Sequence, residues 1–411
     1  MGRRTAWRRI GFFVGASIAL LPMLFRPLPA AAAGGGTLFG ITGPDQSILS
    51  RIDPTTGAET QLADLSVPGA NAQSAGMAVD PSTHRLFVLR TTVTFIPPGD
   101  LSFAEQLLVI NSQTGAMLAS PTLTYGPQTL LYDTTTNTLF GFTGTSVVRI
   151  DQATGAQSQV APIANPTFAF VSMAIAPALH TIYLSLDAQD PSFNGTFNTQ
   201  ILALDTQTAS LSTGTLLTRS VRSIAFDTSL GSMFGVTDCC PNDVVGVIPS
   251  SGAVNLVAHL GDTIQPYWTA IDPGSHTMFL DVSHVDPITF ASVDQLASIN
   301  ELTGAVIQAP LAQGVGSLVF EPPAAITPAS IQADVRDAFA KGLIHSKGLE
   351  HSMLDKLAEA AAARANGNCR EAADEYRAFI RQVNKQSGKQ IDAATASLLA
   401  GEAQFLIAHC P

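Results

Sequence analysis

The sequence predicts an all-β six-bladed β-propeller followed by a small all-α, four-helix C-terminal domain. Three observations lead there. A unit of about 43–52 residues recurs between residues 36 and 323, each copy carrying short apolar strands separated by turn residues, and a self-similar unit of that length is one propeller blade. Beyond the text EPPAAITPAS the strand patterning stops, and Ala, Glu, Lys, Arg and Gln at helical spacing take over. Ahead of the first repeat lies a segment that fits neither pattern.

That segment reads MGRRTAWRRIGFFVGASIALLPMLFRPLPAAAAGGG. Four arginines precede an apolar run from Ile10 to Phe25, interrupted by Pro22, and small residues follow at Ala31–Ala33. A basic start, a short apolar stretch and an Ala-x-Ala site describe a secretory signal peptide over residues 1–33. The run is shorter than the ~20 residues a membrane span needs, so no stable membrane insertion is expected after cleavage. The formal charge is −11, and loss of Arg3, Arg4, Arg8, Arg9 and Arg26 takes the mature chain to −16. An acidic exported protein without a basic stripe does not suit nucleic acid.

The blades align on their turns. GMAVDPSTHRLFVL (76–89) matches TLLYDTTTNTLFGF (129–142), SMAIAPALHTIYLS (172–185), SIAFDTSLGSMFGV (223–236) and TAIDPGSHTMFLD (269–281). The second half of each unit repeats as well, from LSRIDPTTGAETQL (49–62) to LASINELTGAVIQA (296–309). In each half an apolar strand ends at a position that is usually Asp or Asn, and four residues later comes Gly, Asn or His. Asp accepts backbone N–H bonds from the next two or three residues, and the closing position needs a left-handed backbone. His84, His180 and His276 fill the slot held by Asn137 and Gly231 elsewhere. A slot that glycine can fill is not a ligand slot, so these histidines are expected to serve the turn. The same holds for Asp53, Asp80, Asp133, Asp151, Asp205, Asp227 and Asp272.

The first copy enters halfway, at TLFGIT (37–42), and an orphan half, SLVFE (317–321), ends the series. Together they complete one blade and close the ring, leaving no free sheet edge; a seven-bladed ring is the alternative count. This part resembles the broad class of secreted propellers with LFGI…IDPxTG units. The resemblance implies the fold alone, since that class holds binders, enzymes and scaffolds.

Strand order places the two tight hairpins of every unit on one face and all long insertions on the other. The insertions are RTTVTFIPPGDLSFAEQ (90–106), LDAQDPSFNGTFNTQ (186–200), TDCCPND (237–243) and VSHVDPITFASVDQ (282–295), expected as long loops. Variable loops on one rim are the expected seat of recognition, and the candidate ligand-contacting residues there are Tyr125, Asp187, Arg222, Tyr267, Trp268, Asp281 and His284. His284, flanked by Asp281 and Asp286, is a weak metal or general-base candidate. No zinc-protease, nucleophile-elbow or nucleotide-binding motif appears, so no catalytic residue, metal or cofactor is assigned. Cys239 and Cys240 are expected to form a local disulfide or loop staple.

After the propeller, Thr327-Pro328 opens a helix that runs through Phe339 and breaks at Gly342. A second helix carries Leu349, Met353, Leu357 and Ala360 at helical spacing, and a third carries Ala372, Tyr376, Phe379, Ile380 and Val383. Asp392 caps a fourth. The third and fourth helices are nearly equal in length and joined by a short turn, which makes them an antiparallel hairpin and brings Cys369 to Cys410. The stretch SMLDKLAEAAAARANGNCREAADEYRAFIRQVNKQSGKQIDAATASLLAGEAQFLI (352–407) is similar to the FIMAH domain, a small helical module at the C-termini of secreted bacterial proteins. Met353 stands where that pattern has leucine. The resemblance implies an exported bacterial protein and no defined chemistry.

The expected function is that of a secreted or cell-envelope binding or scaffold protein, whose unidentified protein, peptide or glycan partner meets the long-loop face. The alternative is a propeller hydrolase or lyase acting on a glycan or lactone at the channel mouth.

Overall fold

A computed structural model describes residues 36–408 apart from 44, 69, 97–99, 164–167, 190–196, 238–241, 262–267, 286–291, 324–325 and 341. The expected signal peptide, Tyr267, Cys239, Cys240 and Cys410 lie outside the described residues.

Six antiparallel sheets form the ring. Blade 1 holds β1 (Thr37–Thr42), β2 (Ile48–Ile52) and β3 (Glu59–Asp64). Blade 2 holds β4 (Asn71–Asp80), β5 (Arg85–Ile96), β6 (Asp100–Asn111), β7 (Met117–Ala119) and β8 (Thr122–Leu123). Blade 3 holds β9 (Thr129–Asp133), β10 (Thr138–Phe142), β11 (Ser146–Ile150) and β12 (Gln157–Pro162). Blade 4 holds β13 (Phe168–Ala176), β14 (Thr181–Gln189), β15 (Phe197–Asp205) and β16 (Thr215–Leu216). Blade 5 holds β17 (Val221–Asp227), β18 (Ser232–Thr237), β19 (Asn242–Ile248) and β20 (Ala253–Gly261). Blade 6 holds β21 (Thr269–Asp272), β22 (Thr277–Val285), β23 (Ser292–Asn300) and β24 (Val306–Pro310).

The ring closes as expected. β25 (Ser317–Glu321) is the innermost strand of blade 1 and pairs antiparallel with β1, Thr37 opposite Glu321 and Ile41 opposite Ser317. Apolar clusters fill the seams. Phe39, Leu49, Leu86 and Leu108 join blades 1 and 2, and Leu38, Phe279, Leu296 and Phe320 join blades 6 and 1.

Three of the four expected long loops are strands. Blade 2 pairs β5 with β6 out to Ile96 opposite Asp100, blade 4 pairs β14 with β15 out to Gln189 opposite Phe197, and blade 6 pairs β22 with β23 out to Val285 opposite Ser292. Each insertion extends its two central strands into a finger whose backbone groups pair with each other; in blades 2 and 4 the first strand runs alongside, to Val93 and Ala188, and in blade 6 it stops at Leu280. Fingers stand on blades 2, 4 and 6; blades 1, 3 and 5 connect the corresponding strands by short links.

A C-terminal helical region follows, with α1 (Pro328–Ala340), α2 (Lys347–Ala365), α3 (Cys369–Gln386) and α4 (Ala393–Ala408). Ser346 Oγ caps α2 and Asp392 Oδ1 accepts the Thr395 N–H at 3.0 Å. Leu357, Ala372, Tyr376, Phe379, Val383 and Leu406 share one buried cluster. Cys369, the only cysteine among the described residues, is disulfide-bonded.

The turn between the third and fourth strands of each blade docks on the blade before it. Gly57, Gly115, Gly155, Gly252 and Gly304 all have φ of 70–73°. A Cβ at Gly252 would lie 1.9 Å from the carbonyl oxygen of Leu216, and one at Gly115 2.2 Å from that of Leu62. Blade 4 alone carries a side chain here, Ala209 at φ 58°. Left-handed backbone costs a residue with a Cβ about 1–2 kcal/mol, and forcing an extra carbon into a packed seam about 1–3 more. Gly252→Ala is therefore expected to destabilise by at least about 2 kcal/mol, and Ala209→Gly to stabilise by up to about 1. The midpoint of urea unfolding checks both.

Candidate functional site

The tight-turn face is built from local hydrogen bonds. Asp133 accepts the N–H and hydroxyl of Thr135 at 2.9 and 2.7 Å and the Thr136 hydroxyl at 2.8 Å. Asp80 does the same with Ser82 and Thr83 and adds Arg85 Nη2 at 2.9 Å. Burial works to raise the Asp80 pKa, but the bonds from Ser82, Thr83 and Arg85 outweigh it and hold the carboxyl at about 2. Asp53, Asp151 and Asp205 accept two backbone N–H groups each and sit below the usual carboxylate range for that reason. His84, His180, Asn137, Gly231 and His276 all have φ between 50 and 62°. These side chains serve backbone geometry, as their spacing requires.

Two of the histidines do more. His84 Nδ1 lies 2.8 Å from Glu321 Oε1, and His276 Nδ1 lies 3.1 Å from Asp227 Oδ2. Each imidazole reaches the turn-head carboxylate of the preceding blade and fastens the seam. Reading the turns in isolation misses this, because the first pair is separated by 237 residues. Glu301 joins the second pair from the other turn of blade 6 and was not singled out by its motif. Burial pushes its carboxyl up to about 9, with Asp227 and Asp272 adding to the shift.

The central channel encloses about 330 Å³. Half-buried Val79, Leu131, Ile175, Phe226, Ile271 and Val319 line it. Two of its hydroxyls bridge blades, Ser172 Oγ accepting the Ile224 N–H at 3.0 Å and Ser223 Oγ lying 3.0 Å from Thr269 Oγ1, whereas the buried Ser317 Oγ has no partner among the described residues. Among the described lining residues Tyr132 is the one titratable group, and burial, aided by Asp80, pushes its phenol up to about 12.

The candidate rim residues separate. Tyr125 is exposed, and its backbone is clasped by the side-chain amide of Gln157, at 2.9 Å from Oε1 and 2.8 Å from Nε2. Trp268 is on the channel wall and packs against the buried cluster of blades 6 and 1 rather than standing on the rim. Arg222 is half-buried in β17, while Asp187 is placed in β14 by its backbone, its side chain outside the described residues. Asp281 and His284 both lie on β22, three residues apart, which puts them on opposite faces of the strand. They do not form a pair. His284 is exposed; Asp281 is turned inward, where its Oδ2 accepts the Val315 N–H at 2.8 Å. The rim's assembled charge cluster is one the motifs did not show: buried Asp243, held by Arg219 Nη2 at 2.8 Å and His259 Nδ1 at 2.7 Å.

The exposed apolar surface of the long-loop face is on the fingers. On blade 2, Leu101 and Phe103 are 57% and 63% exposed and share one face of the ribbon, with Val93 opposite Phe103 in register. On blade 6, Val293 is 49% exposed.

No protein-family model matches the chain, and no curated protein does. Among solved structures it is similar to hydrazine synthase of Kuenenia stuttgartiensis, at 16% identity over 71% of this chain and 88% of that one, with a TM-score of 0.46. It is also similar to two structures titled putative 6-phosphogluconolactonase. The one from Bacteroides uniformis ATCC 8492 has 13% identity over 69% and 99% of the two chains and a TM-score of 0.43. The one from Bacteroides fragilis NCTC 9343 has 12% identity over 71% and 99% and a TM-score of 0.41. The ring assignment stands on the sheet topology described above.

Burial, with the Asp294 and Glu59 carboxylates adding to it, pushes Asp281 up to about 7 from 3.8, against the Val315 N–H that favours its charge. An acid raised on folding keeps its proton in the native state, so its contribution is complete below about pH 4 and is lost as pH rises through about 7. Asp281→Asn is expected to flatten the fall in melting temperature of the wild type between those limits, checked by thermal unfolding across pH 4 to 8.

Proposed function

We propose that the chain is an exported binding module whose ligand, a peptide or glycan chain, seats on the crown of fingers above the channel mouth. The exposed apolar strip of Leu101 and Phe103, at the far end of the extended blade 2, supports this reading most strongly. An exposed aromatic rimmed by polar residues marks a contact surface, and a paired ribbon holds it in place at little further ordering cost. Most turn-head carboxylates of the tight-turn face are committed to their own turns, and Ser172 and Ser223 of the channel wall are bonded between blades. Export through residues 1–33, and a FIMAH-like helical domain tethered to the propeller, complete the proposal.

Arrays of peptides and glycans probed with the purified mature protein, with and without calcium, test the binding surface. Saturable binding is expected to weaken at least tenfold in Phe103→Ala and to be unchanged in Thr55→Ala, which alters an exposed residue of the tight-turn face. Loss in Thr55→Ala with retention in Phe103→Ala would move the site to the other face.

Within the helical region, the bond from Cys369 is assigned to Cys410. Non-reducing peptide mapping is expected to recover that cross-linked pair, and Cys410→Ser to cost roughly 3–4 kcal/mol of stability in the chain-entropy picture.

A further inference from the structure

The tight-turn face holds a group that neither the turns nor the seams account for. Glu301 is 6% exposed, and both of its carboxylate oxygens lack a hydrogen-bond partner. A buried carboxylate without donors is costly, and the fold does not need one here. Ser112 and Thr206 occupy the equivalent place in blades 2 and 4, where the backbone N–H donates to the carbonyl of His84 or His180 at 2.8 Å; Glu301 makes the same bond to His276 at 2.9 Å. The turn is satisfied by the backbone whatever the side chain, and the carboxyl is set against that of Asp227, an arrangement that needs a shared proton or a cation between the two.

Its neighbours identify that partner. One ligand atom each from Asp227, His276 and Glu301 lies within 4.8 Å of the other two. Asp227 Oδ1 is occupied by the N–H groups of Ser229 and Leu230 at 2.7 and 3.0 Å, which fixes the carboxylate and leaves Oδ2 turned to His276 Nδ1. The imidazole is held by its left-handed turn. We propose that Asp227, His276 and Glu301 form a divalent-cation site that bridges blades 5 and 6 on the tight-turn face. One imidazole and two carboxylates suit a borderline ion, Zn2+ first and Mn2+ next, better than the all-oxygen shells of Ca2+ and Mg2+. The sister seam at His84 offers an imidazole and Glu321, with Ser112 where the third ligand would stand, so the site is confined to one seam.

The test is titration of the metal-free mature protein with ZnCl2, MnCl2 and CaCl2 by calorimetry and by thermal unfolding at neutral pH. Zn2+ is expected to raise the melting temperature through one high-affinity equivalent per chain, with Ca2+ giving no comparable rise. Glu301→Gln keeps the shape and should weaken that equivalent at least tenfold. His276→Asn should do the same while keeping the turn, because Asn137 already occupies the matching slot at φ 53°. His84→Asn should leave Zn2+ binding unchanged. Absence of a saturable Zn2+ equivalent in the wild type, equal binding by Glu301→Gln, or a Ca2+ response matching that of Zn2+ would each overturn the proposal.

Discussion

A left-handed backbone at two fixed places in blades 2 to 6, and at one in blade 1, governs how the blades meet. At the turn between the third and fourth strands, the missing Cβ lets a carbonyl oxygen of the neighbouring blade approach to where that carbon would be, so glycine sets the spacing of the seam. At the turn between the first and second strands the backbone has the same sign of φ, yet a Cβ at Gly231 would meet nothing within 4 Å. The first kind of turn takes glycine in five blades and nothing larger than Ala209 in blade 4, and the second tolerates side chains that accept left-handed geometry, chiefly Asn and His. A tolerated side chain can then be put to use. His84 and His276 do so, crossing the seam to an acid of the preceding blade.

That economy divides the ring into two unlike faces. Short turns on one side bond most of their head carboxylates within five residues and leave little length to vary. Connections on the other side carry no such restriction and have grown in blades 2, 4 and 6. Growth took the form of paired strands because pairing satisfies the backbone internally, with the first strand joining in blades 2 and 4, where a free loop of the same length would expose every amide. Between the faces, the channel wall carries aliphatic side chains, and the hydroxyls of Ser172 and Ser223 bond from blade to blade under the fingers.

What the sequence revealed follows from the range of each determinant. Turn heads, left-handed slots and the helical caps depend on residues two to five apart, and all were readable, as was the closing strand, whose text matches its siblings. The fingers were not. RTTVTFIPPGDLSFAEQ alternates in the manner of a strand, but both faces of the ribbon meet solvent, so the contrast between apolar and polar positions that marks a half-buried strand is weak. Asp281 and His284 looked like partners because they are close in sequence, and strand pleating sends them to opposite faces. Trp268 looked like a rim aromatic, although its place at the head of an inner strand puts it on the channel wall. Glu301 lies between these cases. Its neighbours are invisible in the text, but its alignment with Pro54, Ser112, Gln152, Thr206 and Pro249 shows an acid where every sibling is neutral.

The ring also has a longer period than one blade. His84, His180 and His276 stand 96 residues apart, and the blades that carry them are the blades that carry fingers. In those same blades the residue after the second turn head donates its N–H to the histidine carbonyl; in blade 3 the Gln152 side chain bonds the Asn137 carbonyl instead. The molecule is therefore three two-blade units, and its seams alternate. At the seams entering blades 2, 4 and 6, an acid at the head of one blade (Glu321, Asp133 or Asp227) stands in register with a histidine slot of the next. The seams leaving those blades set Asp80 and Ala176 against Asn137 and Gly231, which cannot form an ion pair. In blades 2 and 6 the finger and the acid–imidazole contact sit at opposite ends of the same second strand; blade 4 has the finger, and its His180 Nδ1 has no hydrogen-bond partner among the described residues. Two of the three seams entering blades 2, 4 and 6 close an acid–imidazole contact, and one of the two has gained a second carboxylate, so Glu301 marks a local specialisation of a threefold frame.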